Sequence, residues 1–129
     1  MLTGCPCGSG HGYDECCGAL HGGAAAATAE LLMRSRFSAF AVGDAEYLRR
    51  TWHPTTRPRR LDPDPGVRWT RLEVLATEGG GLFDRTGVVE FRAHYRENGR
   101  ADALRERSTF VRENGAWTYV GPERAADGA

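Results

Sequence analysis

Lysine, glutamine and isoleucine are absent from this chain of 129 residues, and cysteine is absent beyond position 17. All 17 basic side chains are therefore arginine. This set of missing residue types is what the coding bias of a GC-rich genome produces. The arginines by themselves are not a signature of phosphate recognition. A net charge is missing too: 17 acidic residues balance the 17 arginines. No global field gathers nucleic acid or an anionic membrane surface. No apolar run approaches the ~18 residues of a membrane-spanning helix, and residues 1–20 lack the apolar stretch of a secretory signal. A cytoplasmic location is the expectation. There is no internal repeat, no phosphate-binding glycine loop, no nucleophile elbow and no metalloprotease helix motif. The run Gly79-Gly80-Gly81 lies between two strand patterns and reads as a turn.

What is present is concentrated at the N-terminus. The four cysteines form a C-x-C pair, eight intervening residues, then C-C: Cys5, Cys7, Cys16 and Cys17. Zinc takes four thiolates in a closed tetrahedron, and a closed tetrahedron has no open position for water or substrate. In a reducing compartment, clustered thiols favour a metal over disulfides. One Zn2+ per chain in a structural role is the expectation. Iron fits an S4 tetrahedron as well, and a thiol redox or metal-handling role is the competing use of the same residues. His21 is a minor candidate for replacing one cysteine. Glycines at 4, 8, 10, 12 and 18 permit the turns of a short metal loop, and the segment has too few apolar residues to fold unaided.

Downstream, 40% hydrophobic and 26% charged residues suit one compact domain with a small appendage. Thr28 is placed to cap a helix whose apolar residues include Leu31, Leu32, Met33, Phe37, Phe40 and Val42, and Gly43 ends it. Asp44 caps a second, short helix that runs to Thr51, and Pro54 ends it. Four prolines keep residues 53–66 irregular. Four strand patterns follow, over 67–77, 85–97, 102–112 and 116–121. The last three are joined by Asn98-Gly99 and Asn114-Gly115, strong hairpin turns. Two helices followed by an antiparallel meander give an α+β fold. Residues 1–22 read as a metal-binding motif, 23–122 as the α+β domain and 123–129 as a disordered tail.

Cys5-Pro-Cys7-Gly-Ser-Gly with Tyr13 and Cys16-Cys17-Gly resembles the SEC-C motif, the zinc module at the C-terminus of the SecA translocation ATPase. The resemblance implies Cys5, Cys7, Cys16 and Cys17 as ligands. His11 and Gly12 stand where the motif usually carries lysines. The strings Leu32-Met33-Arg34-Ser35-Arg36-Phe37-Ser38-Ala39-Phe40, Thr51-Trp52-His53-Pro54-Thr55, Glu106-Arg107-Ser108-Thr109-Phe110 and Glu113-Asn114-Gly115-Ala116-Trp117 are similar to those of the YchJ family of small bacterial proteins. Membership implies an N-terminal SEC-C motif followed by a domain like nuclear transport factor 2 (NTF2), a curved four-stranded sheet wrapped around helices as a cone. The family brings no established reaction.

These readings lead to a zinc-binding accessory or interaction protein with a protein partner and no membrane or nucleic-acid role. Cones of this class often pair through their sheets, so a homodimer is one expectation, with Trp69, Phe91, Trp117 and Tyr119 serving either core or interface. The alternative is a small-molecule-binding or enzymatic cone. His53 would sit at its rim, and Glu90, His94 and Glu106 would converge inside, because a carboxylate beside an imidazole tunes a general base. Arg34 or Arg36 is expected to pair with a sheet carboxylate such as Glu106. Arg57, Arg59 and Arg60 form the densest basic cluster, beside Asp62 and Asp64.

Overall fold

The computed structural model describes residues 4–61 and 63–123. The expected tail beyond Glu123 lies outside the described residues. A 3-10 turn at Tyr13–Glu15 leads into helix α1 (Cys17–His21), followed by α2 (Ala29–Val42) and α3 (Ala45–Arg50). Four strands follow, β1 (Val67–Gly79), β2 (Thr86–Glu97), β3 (Arg100–Glu113) and β4 (Ala116–Pro122), in one antiparallel sheet of order β1-β2-β3-β4.

Local sequence sets the element ends. The Thr28 hydroxyl accepts the Leu31 amide at 3.1 Å, and the Asp44 carboxylate accepts the Tyr47 amide at 3.0 Å. Each satisfies a helix donor that has no intrahelical partner. Gly43 adopts φ +78°, the left-handed cap in which a side chain is disfavoured. Both Asn-Gly pairs have positive φ at each residue, as two-residue hairpins require. Register shifts at Trp69/Arg71 and Val74/Ala76 in β1, and at Thr109/Phe110 in β3, bend the sheet around α2.

The concave face of the sheet carries Leu72, Val89, Phe91, Ala93, Phe110 and Trp117, packed against Leu32, Met33 and Phe37 of α2. The residues weighed as interface belong to this interior. Phe91 and Trp117 are buried, and Trp69 and Tyr119 pack against the same cluster. The opposite side of α2 is also covered. Ala39 joins Tyr47 and Leu48 of α3 in a second cluster, and the Ser35 hydroxyl donates to Leu32 O while lying 2.7 Å from the Tyr47 hydroxyl. A helix buried on two sides needs small residues where neighbours approach closely. Ser35, Ser38 and Ala39, all fully buried, supply them. After α3 the chain runs beside β4: His53 N donates to Tyr119 O and Tyr119 N to Thr51 O, each at 2.8 Å.

Candidate functional site

The cysteine segment folds back on itself. Gly4 bridges Gly12, Cys5 N donates to His11 O at 2.8 Å, and Gly8 N donates to Cys5 O at 3.0 Å. This tight turn places Cys5 and Cys7 on one side, and the start of α1 brings Cys16 and Cys17 to the other. The four Sγ atoms all lie within 4.8 Å of one another, and all four are free thiols. Cys7 and Cys16 are 3.6 Å apart, Cys16 and Cys17 4.0 Å. Zinc–sulfur bonds of about 2.3 Å in a tetrahedron put the sulfurs about 3.8 Å apart. Donor type, number and spacing therefore fit a four-thiolate metal. Cys5, Cys7 and Cys17 are buried, and Cys16 is partly exposed beside the Ser9 hydroxyl at 3.2 Å.

One thiol of the cluster, Cys7, is favoured for loss of its proton, while burial pushes Cys16 up. A hydrogen bond from Cys17 pulls the Cys7 thiol down to about 4, and the same bond, together with burial, pushes Cys17 up. A thiolate sharing its neighbours' protons is the state from which a cation displaces those protons.

The knuckle is seated on α2 by polar contacts. Arg34 donates to Cys7 O at 3.1 Å and pairs with Glu30 rather than with a sheet carboxylate. Ser38 Oγ lies 3.5 Å from Cys5 Sγ. His21 Nε2 donates to Ser35 O at 2.8 Å, which leaves Nδ1 to accept from the Tyr13 hydroxyl at 2.5 Å. Both ring nitrogens are committed, so His21 is a strut between knuckle and helix and not a substitute ligand. Gly18 makes this possible, because a Cβ there would meet Tyr13 O at 2.7 Å and the Tyr13 ring at 2.8 Å.

The proposed catalytic convergence does not occur. Glu106 pairs with Phe91 across β2 and β3 and faces the concave side. Glu90 and His94 alternate with the buried Val89, Phe91 and Ala93, and so lie on the outer face. There, Glu73 accepts from His94 at 2.7 Å and from Arg92 at 3.1 Å, and these two bonds hold it below the usual carboxylate range. Glu90 is held down by Arg105 and then Arg107, and Arg107 also reaches Glu78 and Glu123. This is a ladder of solvated ion pairs. His53 also stays out of the cone: Nε2 donates to Glu113 at 3.1 Å and Nδ1 accepts from Thr55 Oγ1 at 2.7 Å, tying the turn after α3 to the end of β3. Arg57 is engaged as well, donating twice to Trp52 O.

Glu106 alone of that group reaches the interior. Its Oε2 accepts from Ser108 at 2.5 Å and from the Tyr119 hydroxyl at 3.1 Å, on the wall of a cavity between α2 and the sheet. The expected pairing of Arg36 with Glu106 does not form among the described residues, although burial of Arg36 does occur on the same wall. Arg36 is 3% exposed, donates through Nη1 to Leu48 O at 2.8 Å and to Thr51 Oγ1 at 2.7 Å, and lies over the rings of Trp52 and Tyr119. Its position four residues after Leu32 and one before Phe37, on the sheet-facing side of α2, was the available signal.

Comparison with known proteins agrees with this architecture. Residues 28–122 match the family described as YchJ, middle NTF2-like domain. A UPF0225 protein of Streptomyces coelicolor is 59% identical over 120 residues, covering 92% of this chain and 94% of that protein. The solution structure of a SEC-C motif containing protein from Rhodopseudomonas palustris superimposes with a TM-score of 0.81 at 36% identity, covering 94% of this chain and 98% of the other. The crystal structure of a SEC-C motif containing protein from Psychrobacter arcticus gives 0.72 at 30% identity, covering 95% and 83%. A thiol cluster seated on an NTF2-like domain, with matches along nearly the whole chain, places this protein in the YchJ family.

Proposed function

We propose that this chain is an accessory protein in which one structural Zn2+, held by Cys5, Cys7, Cys16 and Cys17, fastens residues 1–22 onto the domain formed by residues 23–122. The observation that carries the reading is the convergence of four free thiols within 4.8 Å beside the middle of α2. Four thiolates complete the coordination of zinc, so the metal organises the chain and does no chemistry. The apolar interior of the knuckle consists of the cysteines themselves with Tyr13 packed on them. So small a core cannot offset the entropy of ordering the segment, and bound metal supplies the difference. In this reading the knuckle is an interaction module whose partner is a protein, in a reducing, cytoplasmic setting where the thiols stay available to metal.

Metal content of untagged protein by inductively coupled plasma mass spectrometry, with a count of native reactive thiols, tests this. The expected result is one zinc per chain and thiols that react only after chelation. Metal-free protein with four freely reactive thiols would overturn the reading in favour of thiol redox chemistry. Stoichiometric iron would overturn the choice of zinc.

A further inference from the structure

The cavity between α2 and the concave face measures about 140 Å³. That is close to the ~150 Å³ of an apolar protein cavity that admits benzene. Its walls are mostly rings and aliphatic chains: Phe37, Phe40, Trp69, Phe91 and Leu104. Trp69 is tilted against Phe40 at 6.0 Å and edge-on to Phe37 at 6.2 Å, so aromatic rings form much of the wall. Leu104 is 45% exposed and marks the opening.

Such a lining, if it were only core, would carry no charge. This one carries two. Arg36 is a cation buried beneath the surface, yet among the described residues only its Nη1 has protein acceptors. Burial lowers it to about 10, partly countered by Tyr119, Tyr47 and Glu106. Glu106 accepts through Oε2 alone, from Ser108 and Tyr119. No ion pair joins Arg36 to Glu106 among the described residues, so each keeps unused hydrogen-bonding capacity on the cavity wall. That capacity is available to a polar group entering a largely apolar space. Among the described residues, the buried side-chain atom left without a hydrogen-bond partner is Nε1 of Trp52, a residue of the same wall.

We propose that this cavity is a binding site for a small, neutral, planar molecule about one ring in size, bearing a hydrogen-bond acceptor for Arg36 and a donor for Glu106. The ring fills the aromatic slot, and the polar end lies between guanidinium and carboxylate. The two charges set the preference for a neutral ligand, because an anion would face Glu106 and a cation would face Arg36, each losing its hydration on entry. Cyclic or aromatic amides have the required shape and both polar functions. This site is independent of the metal centre.

Titration of the 15N-labelled full chain with benzamide, toluene, benzoate and benzylammonium, followed through the Trp52 and Trp69 indole resonances and the Leu104 amide, tests it. Benzamide is expected to produce saturable shifts, and the other three to bind about tenfold more weakly, as the loss of a hydrogen bond to a charged group implies. Glu106→Gln, which removes the negative charge, is expected to move the preference towards benzoate. Leu104→Trp, at an exposed position that tolerates a larger side chain, is expected to close the opening and abolish binding while leaving Arg36 and Glu106 in place. Equal binding of toluene and benzamide would reduce the cavity to an apolar void. Absence of saturable shifts at these residues, or benzoate binding tightest to the unaltered chain, would overturn the proposal.

Discussion

Replacing Cys7 with serine is expected to strip the metal and release residues 4–22 while the sheet stays folded. Cys7 is fully buried, lies 3.6 Å from Cys16, and has its thiol drawn down by the hydrogen bond from Cys17. Loss of an outer hydrogen-bonding partner of a metal ligand already costs roughly 10–100-fold in affinity, and loss of a ligand exceeds that. Without metal the knuckle keeps only its polar seat on α2, the contacts of Arg34, Ser38 and His21. Hydrogen exchange should therefore show protection lost from residues 4–22 and retained in β2 and β3, whose core forms a separate cluster. Cys16→Ser should behave alike. A Cys7→Ser protein that kept one zinc per chain with a protected N-terminus would show that this thiol is not a ligand.

Phe110→Ala is expected to destabilise the domain by about 3–5 kcal/mol, the usual range for truncating a buried phenylalanine. Phe110 is 1% exposed, lies edge-on to Tyr119 at 5.7 Å, and sits among the residues that pack the concave face against α2. Phe83, in the turn between β1 and β2, is 92% exposed, and Phe83→Ala should change stability by no more than about 0.5 kcal/mol. Urea unfolding of the two variants measures the difference. Comparable losses in both, or a small loss at Phe110, would mean that β3 presents its other face to the helix.

Much of this arrangement was legible in residue order because the signals are local. Cysteine spacing, the Thr28 and Asp44 caps, Gly43 and the two Asn-Gly turns each act within a few residues, and each appears where local chemistry places it. The expected convergence of Glu90, His94 and Glu106 failed although the information was present. A two-residue turn at Asn98-Gly99 pairs Glu97 with Arg100, and counting back from there puts Glu106 opposite Phe91. Since neighbouring residues in a strand alternate faces, Glu106 must lie inside when Glu90 and His94 lie outside. The seat of the knuckle and the Arg36 cavity were not legible in the same way. They depend on His21 meeting Ser35, and on a helix residue meeting Trp52 and Tyr119 from other elements. Those distances are set by packing and by the bulges that curve the sheet, for which single-residue patterns carry little signal.

X-ray absorption at the zinc edge of the purified, untagged chain tests the central claim most directly. The account predicts one zinc with four sulfur neighbours at about 2.3 Å and no nitrogen or oxygen. A site with mixed nitrogen or oxygen ligands, or with fewer than four sulfurs, would contradict a closed structural centre built from Cys5, Cys7, Cys16 and Cys17.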